Sequence, residues 1–282
     1  MRRALQIQEQ ADEVKIISDL TSVFENIASI RIAQVKDKVV SSGRFFNDLW
    51  VIYRQLRINP EDQLQSMRRF SSDRSAFLMI TGEAGLSGDI DRQLTDALLE
   101  QYDPNTTDVL SVGAHGALQL SERGVGIKAQ FPLPDIAGKI DIGDIVALLR
   151  EYKNVTVFYE KYQTLFSQNV ERLELLSAVV EQGGGETMGS QRGLISSKEY
   201  IFEPSLEDVV HFMESTMIEI VLSQVILESH LAQYASRFNA MHIANRKAQD
   251  MTGELKLAYH RARRAESDER LKEIITALHH TS

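Results

Sequence analysis

The sequence predicts an α/β domain combined with a long antiparallel α-helical coiled coil, in which the N- and C-terminal helices form a stalk and the central segment a small body. Three observations predict it. All five prolines lie between Pro60 and Pro204, and of the sixteen glycines only Gly43 and Gly253 fall outside that span. A heptad repeat runs through the C-terminal arm, and short apolar runs alternate with helical segments in the middle. A proline costs about 3 kcal/mol and a glycine about 1 inside a helix, so arms this free of both read as long helices. The expected division is 1–60 as the N-terminal helix, 61–204 as the α/β domain and 205–282 as the C-terminal helix.

In the N-terminal arm, Ile17, Leu20, Phe24 and Ile27 recur at alternating steps of three and four and continue loosely through Ile30, Val35 and Val39. These positions are the expected seam. The body begins with Ala76–Thr81 as a strand, a glycine-rich loop GEAGLSGDID and a helix over Arg92–Tyr102. Asp108–Val112, Gly126–Phe131 and Asn154–Tyr159 read as further strands, with helices over His115–Arg123 and Ile142–Tyr152 between them. Strand and helix alternating at this spacing predict a small, mostly parallel, Rossmann-like sheet. Gln182–Gly193 reads as a mobile loop and Tyr200–Glu203 as a last edge strand before Pro204. In the C-terminal arm, Val210, Met213, Met217, Ile220, Gln224, Leu227, Leu231, Tyr234, Phe238 and Met241 follow the same alternation before it turns polar or small at Asn245 and Ala248. Sustained over four to five heptads, this predicts a left-handed coiled coil. At 1.5 Å per residue the C-terminal arm would be on the order of 110 Å long and the N-terminal one somewhat over 60 Å, too long for a compact globule, so part of the pair should project.

Composition narrows the function classes. The 282 residues are 43% hydrophobic and 25% charged, ordinary values for a folded protein. The opening MRRALQIQEQADEVK lacks the apolar core of a signal peptide, and no uninterrupted apolar run reaches the roughly 18 residues of a membrane span. Zero cysteines remove disulfides and thiolate chemistry and fit a cytosolic address. A net charge of −9 argues against a general nucleic-acid binder. The loop GEAGLSGDIDRQL sits where a phosphate loop would, but it lacks the Walker lysine, and Glu83, Asp89 and Asp91 would repel a nucleotide. A structural turn is the expectation. The seven histidines form no metal-binding pattern, and neither a serine elbow nor a local carboxylate pair marks an active site. No catalytic residue, metal or cofactor is assigned. Charge is concentrated elsewhere: from His230 to Arg264 seven basic residues face only Asp250 and Glu254, a surplus of five positive charges. As the seam fades there, this part of the arm is expected to be positive around much of its girth and to seek acidic neighbours.

Within that stretch, ASRFNAMHIANRKAQDMTGELKLAYHRARRA followed by RLKEIITA resembles the C-terminal helix of the gamma subunit of F-type ATP synthases. The matching positions are Arg237, Ala240, Met241, Ala244, Ala248, Leu255, Leu257, Tyr259, Arg263, Ala265, Glu273 and Ile274. Gly85, Leu86 and Gly88 are similar to the family's glycine turn. Arm, α/β body and arm is also the family's chain order. Two departures stand out. Arg264 replaces the family glutamine, with Ser267, Asp268, Glu269 and Arg270 in place of its I-T-x-E. Thr21–Ser29 replaces the basic, methionine-rich N-terminal signature.

The resemblance implies the central rotor shaft of an F1-type ATPase, without an active site of its own. Such a chain transmits torque between a membrane ion-driven ring and three catalytic beta subunits, coupling ATP synthesis or hydrolysis to transport of H+ or Na+. It implies alpha, beta and epsilon subunits and the membrane c-ring as partners, no nucleic acid, no direct membrane insertion, and a peripheral place on the cytoplasmic face of the cell membrane. Arg263, Arg264, Asp268 and Arg270 are the expected latch to a beta subunit, with Met241, Lys256 and Arg261 as shaft contacts. The alternative is a coiled-coil scaffold or spacer in an export or motility complex.

Overall fold

The computed structural model describes residues 2–55, 73–135, 141–175, 177–178, 203 and 205–280. Helix α1 spans Arg2–Gln55, 54 residues. The body follows as β1 (Ser75–Ile80), α2 (Ile90–Leu99), β2 (Thr107–Val112), α3 (Ala114–Glu122), β3 (Ile127–Phe131), α4 (Gly143–Leu149), β4 (Val155–Thr164) and β5 (Ser167–Glu174). Helix α5 closes the chain as 75 residues, Leu206–His280. The expected loop over 182–193 lies outside the described residues, as does the expected edge strand apart from Glu203. By its contacts the chain forms two compact units, Ile30–Ser236 and the pair Met1–Ser29 with Arg237–Ser282.

In the larger unit the strands are ordered β3-β2-β1-β4-β5, with β1 parallel to β2 and β4, β2 parallel to β3, and β5 antiparallel to β4. The mostly parallel sheet is as expected; β5 is an addition to the four strands read from the sequence. Its segment SQNVERLE carries few large apolar residues because it is an edge strand exposed on alternate positions. The hairpin joining it to β4 also lacks a turn signature, since neither Leu165 nor Phe166 has a positive φ and the register shifts between Tyr162 and Thr164 instead.

The period of two in β1 feeds two cores. Phe77 and Met79 pack with Leu94 and Leu98 of α2, Leu120 of α3, and Phe158. Ala76, Leu78 and Ile80 face the other way, onto Ile145, Val146 and Leu149 of α4, Phe46 of α1, and Met217, Val221, Leu222, Val225 and Ile226 of α5. The part of α1 after Ile30 and the part of α5 before Ser236 are therefore integral to the body. Over Asp208–Ala277 α5 is long and apolar enough to cross a bilayer, but 59% of the decisive window is buried inside the protein, and packing on the sheet accounts for its hydropathy. At the amino end of the strands Asp108 accepts hydrogen bonds from Arg74 Nε (2.7 Å), Lys128 Nζ (2.8 Å) and Tyr152 Oη (3.0 Å), tying β1, β2, β3 and the segment before β4 together.

The smaller unit is an antiparallel helix pair. Ala4 N donates to Glu266 Oε1 at 3.3 Å, Ser18 Oγ to Asn245 Oδ1 at 2.8 Å, and His242 Nδ1 to Glu25 Oε1 at 3.0 Å, so partners descend along α5 as they ascend along α1. Its packing corrects the expected N-terminal seam. The inward positions of α1 are Ala4, Ala11, Ser18, Thr21 and Ala28, all buried, whereas Ile17, Leu20, Phe24 and Ile27 are 39–54% exposed. The real heptad sits one residue later and meets the expected one only at Val35 and Val39. In the larger unit Val35 packs on Leu227 and Leu231, and Phe46 enters the main core. On α5 the expected seam is buried at Val210, Met213, Met217, Leu227, Leu231 and Met241, and Ala248 beyond it is buried as well.

Candidate partner-binding site

At the crossover from β3 to β4 the sheet's winding reverses, so the crevice beyond the carboxyl ends of β1 and β4 is where an open α/β sheet ordinarily takes a ligand. Here the protein fills it. Glu83, one of the acids expected to repel a nucleotide, accepts from Ala114 N at the start of α3 (3.3 Å) and from Leu133 N. Asp91 lies buried in the first turn of α2. Carboxylates thus hold the helix starts that would otherwise attract phosphate. Gly113, at φ 95°, lets α3 begin directly on β1: a Cβ there would lie 2.2 Å from Thr81 O. From the other side α5 brings Ser229 Oγ to Ile80 O (3.5 Å), His230 Nε2 to Pro134 O (3.0 Å) and Ser236 Oγ to Ser87 O (2.6 Å). The glycine-rich segment is a structural turn built around α5.

The residues expected to meet partners all lie on α5 within the helix pair. Lys256, Arg261, Arg263, Arg264, Asp268 and Arg270 are all exposed. Inward-facing α5 positions there are instead Asn245, Ala248, Thr252, Leu255, Tyr259, Ala262 and Glu266, none of them fully exposed. His260, Arg263, Arg264, Ser267 and Asp268 recur at helical spacing and line one open concavity of about 340 Å³. The structure therefore brings three of the four expected latch residues together, and Arg270 follows Arg263 two turns on. Met241 differs from the other six named residues: at 7% exposure it packs within the protein itself.

Two features of this surface were not read from the sequence. Because the seam is one residue off, α1 turns Ile16, Ile17, Leu20, Val23 and Ile27 outward, matched on α5 by exposed Leu257, Leu271, Ile274 and Ile275. The signal was present in the sequence as a heptad of small and polar residues, Ala4 to Ala28, that hydrophobicity alone does not select. The electropositive arm is also moderated. Within the smaller unit twelve basic side chains meet eleven acidic ones, among them exposed Glu9, Asp12, Glu13 and Asp19 on α1, so the pair is close to neutral.

A central α/β body interrupting two paired terminal helices agrees with what known proteins show. The family model for ATP synthase matches residues 4–279. The chain belongs to the ATP synthase gamma family. An ATP synthase gamma chain from Halothermothrix orenii is 26% identical over 282 residues, covering 95% of this chain and 96% of that one. The gamma chain of Trichlorobacter lovleyi is 24% identical over 96% of each. Among solved structures, a chain in the OSCP/F1/c-ring of the Euglena gracilis mitochondrial ATP synthase superposes with a TM-score of 0.64 at 16% identity, covering 97% of this chain and 93% of its own. A chain in the central stalk and c-ring of the Tetrahymena thermophila enzyme gives 0.52 at 17% identity, over 80% and 99%. The gamma-family fold, two long terminal helices around an α/β body, is that of this chain.

Proposed function

We propose that this gamma-family chain is the central rotor shaft of an F1-type ATP synthase, a subunit without an active site of its own, peripheral on the cytoplasmic face of the membrane. Its partners are the alpha and beta subunits around the helix pair and the epsilon subunit and c-ring at the body. The observation that carries this reading is the outward turn of the aliphatic side chains. A helix pair that buries alanine, serine and threonine while exposing Ile17, Leu20, Ile27 and Leu257 has its large apolar surface directed at other chains. Aliphatic contacts of this kind are non-directional and allow one surface to turn against another. The charged face at Arg263, Arg264 and Asp268 supplies directional contacts, guanidinium forks to carboxylates of a beta subunit. A shaft of this kind drives chemistry elsewhere by contacting the open and closed states of each catalytic site unequally, which is the condition for shifting their equilibrium.

The division into 1–60, 61–204 and 205–282 is proposed as a functional one, two shaft helices and a body that takes up torque, although by contacts the inner parts of both helices group with the body. Family membership disfavours a scaffold unrelated to ATP. Co-expression with alpha and beta subunits should yield one copy of this chain per ring of three alpha and three beta. In that complex Arg263→Ala with Arg264→Ala should lower coupled ATP turnover while leaving the ring assembled, and unchanged coupling would remove the latch assignment.

A further inference from the structure

The loop between β1 and α2 is costlier than a plain turn needs to be. Asp91 is 1% exposed, its Oδ2 accepts from Ser87 Oγ and His115 Nδ1, both at 2.8 Å, and its Oδ1 has no hydrogen-bond partner. Such a group in a buried site is destabilising. Leu86, at φ +70°, is the one described non-glycine residue with a positive φ, and it is 59% exposed. Backbone strain combined with an under-satisfied buried carboxylate marks a segment held for a purpose beyond stability.

What the loop is held against is α5. Ser229, Gln233 and Ser236 recur at four and three residues and form a polar stripe on a helix that also buries Val225, Ile226, Ala232 and Ala235. Ser236 Oγ donates to Ser87 O, Ser229 Oγ approaches Ile80 O, Gln233 Nε2 donates to Ser229 Oγ, and a Cβ on Gly82 would lie 3.4 Å from Gln233 Oε1. A close-packed apolar face already resists sliding, and hydrogen bonds, which weaken steeply with misalignment, add directionality to it. The stripe, through Ser236 above all, adds a directional constraint on α5 to the one its packed apolar face already imposes. Asp91 and His115, reaching from α2 and α3, brace the loop that presents the Ser87 carbonyl.

We propose that the loop Gly82–Asp89, braced by Asp91 and His115, is a torsional clamp that couples the α/β body to α5, with Ser236 and Asp91 as positioning residues for torque transfer. This rests on the rotor reading and adds to it the place where force crosses from body to shaft. The latch and the aliphatic face belong to the other end of the transmission, so the clamp is separable from both.

The test uses the full chain assembled with alpha and beta subunits. Because the chain has no cysteine, one introduced at the exposed Phe166 turn can carry a probe on the body. Ser236→Ala and Asp91→Asn should leave unloaded ATP hydrolysis near the wild-type rate but lower the torsional stiffness measured between probe and ring, and Ser236→Thr, which keeps the hydroxyl, should restore it. In the isolated chain the same two variants should raise hydrogen exchange in residues 82–89 and 229–236 about fivefold, the equivalent of one lost hydrogen bond. Unchanged stiffness and exchange in Ser236→Ala, or a loss that Ser236→Thr does not repair, overturns the clamp and leaves the rotor reading standing. A wild-type complex that hydrolyses ATP without turning the probe overturns the rotor reading, and the clamp with it.

Discussion

Asp108 shows how a single carboxylate holds the amino end of the sheet. Burial alone would push it up, but hydrogen bonds from Lys128, Arg74 and Tyr152 outweigh burial and hold it below the usual carboxylate range. With a folded value below the unfolded one, its contribution is complete above about pH 4 and is lost as pH falls through the folded value. Asp108→Asn should destabilise the protein by about 1–2 kcal/mol in urea unfolding at pH 7, the exposed Arg74 and Lys128 limiting the loss, and the variant should show a shallower acid limb. Glu228 has the opposite sign. Burial, with Glu171 nearby, pushes its carboxyl up against the Gln224 hydrogen bond and the Lys161 charge, so ionisation at neutral pH opposes folding. Glu228→Gln should raise the urea midpoint at pH 7, a gain that disappears below the ordinary value of 4.5. Apart from Gln224, one helical turn before Glu228, these partners are far from their mates in sequence, and the same holds for Asp91 and His115, 24 positions apart. No local spacing rule finds such pairs, because the sheet brings them together.

At the scale of elements, the two arms differ in how well their sequences declare their faces. Along α5, large apolar residues coincide with the buried seam, so periodicity identifies it. Along the first half of α1 they coincide with the outer face, and the same method selects the wrong stripe by one residue. The physical cause is that a hydrophobic residue reports burial in the assembled state, whichever chain supplies the cover, whereas the inner face of a closely packed pair needs small side chains. The difference is measurable. Ala28→Leu, at a site 1% exposed, should overpack the pair and cost about 1–3 kcal/mol in thermal unfolding followed by helical circular dichroism. Leu20→Ser, at a site 54% exposed, should change the isolated chain by less than about 0.5 kcal/mol yet weaken its binding to alpha and beta subunits.

At the scale of the whole molecule, charge and shape have separate origins. The surplus on α5 between His230 and Arg264 is offset by acids on α1, so long-range attraction contributes little to docking of the helix pair. Binding to an alpha–beta ring should weaken by less than about tenfold when ionic strength rises from about 0.05 to about 0.5 M, measured as a dissociation constant, while the aliphatic contacts persist. The sequence by itself determined the order arm, body, arm and the parallel strands β1 to β4, and it marked the family through Arg237 to Ile274, because proline exclusion, heptad spacing and strand–helix alternation are local properties of the chain. Only the tertiary structure decided which face of α1 points inward, that β5 closes the sheet, and that α5 fills the crevice at the end of β1. Those are outcomes of register and packing between segments some 150 residues apart, such as Ser87 and Ser236, and no local period encodes them.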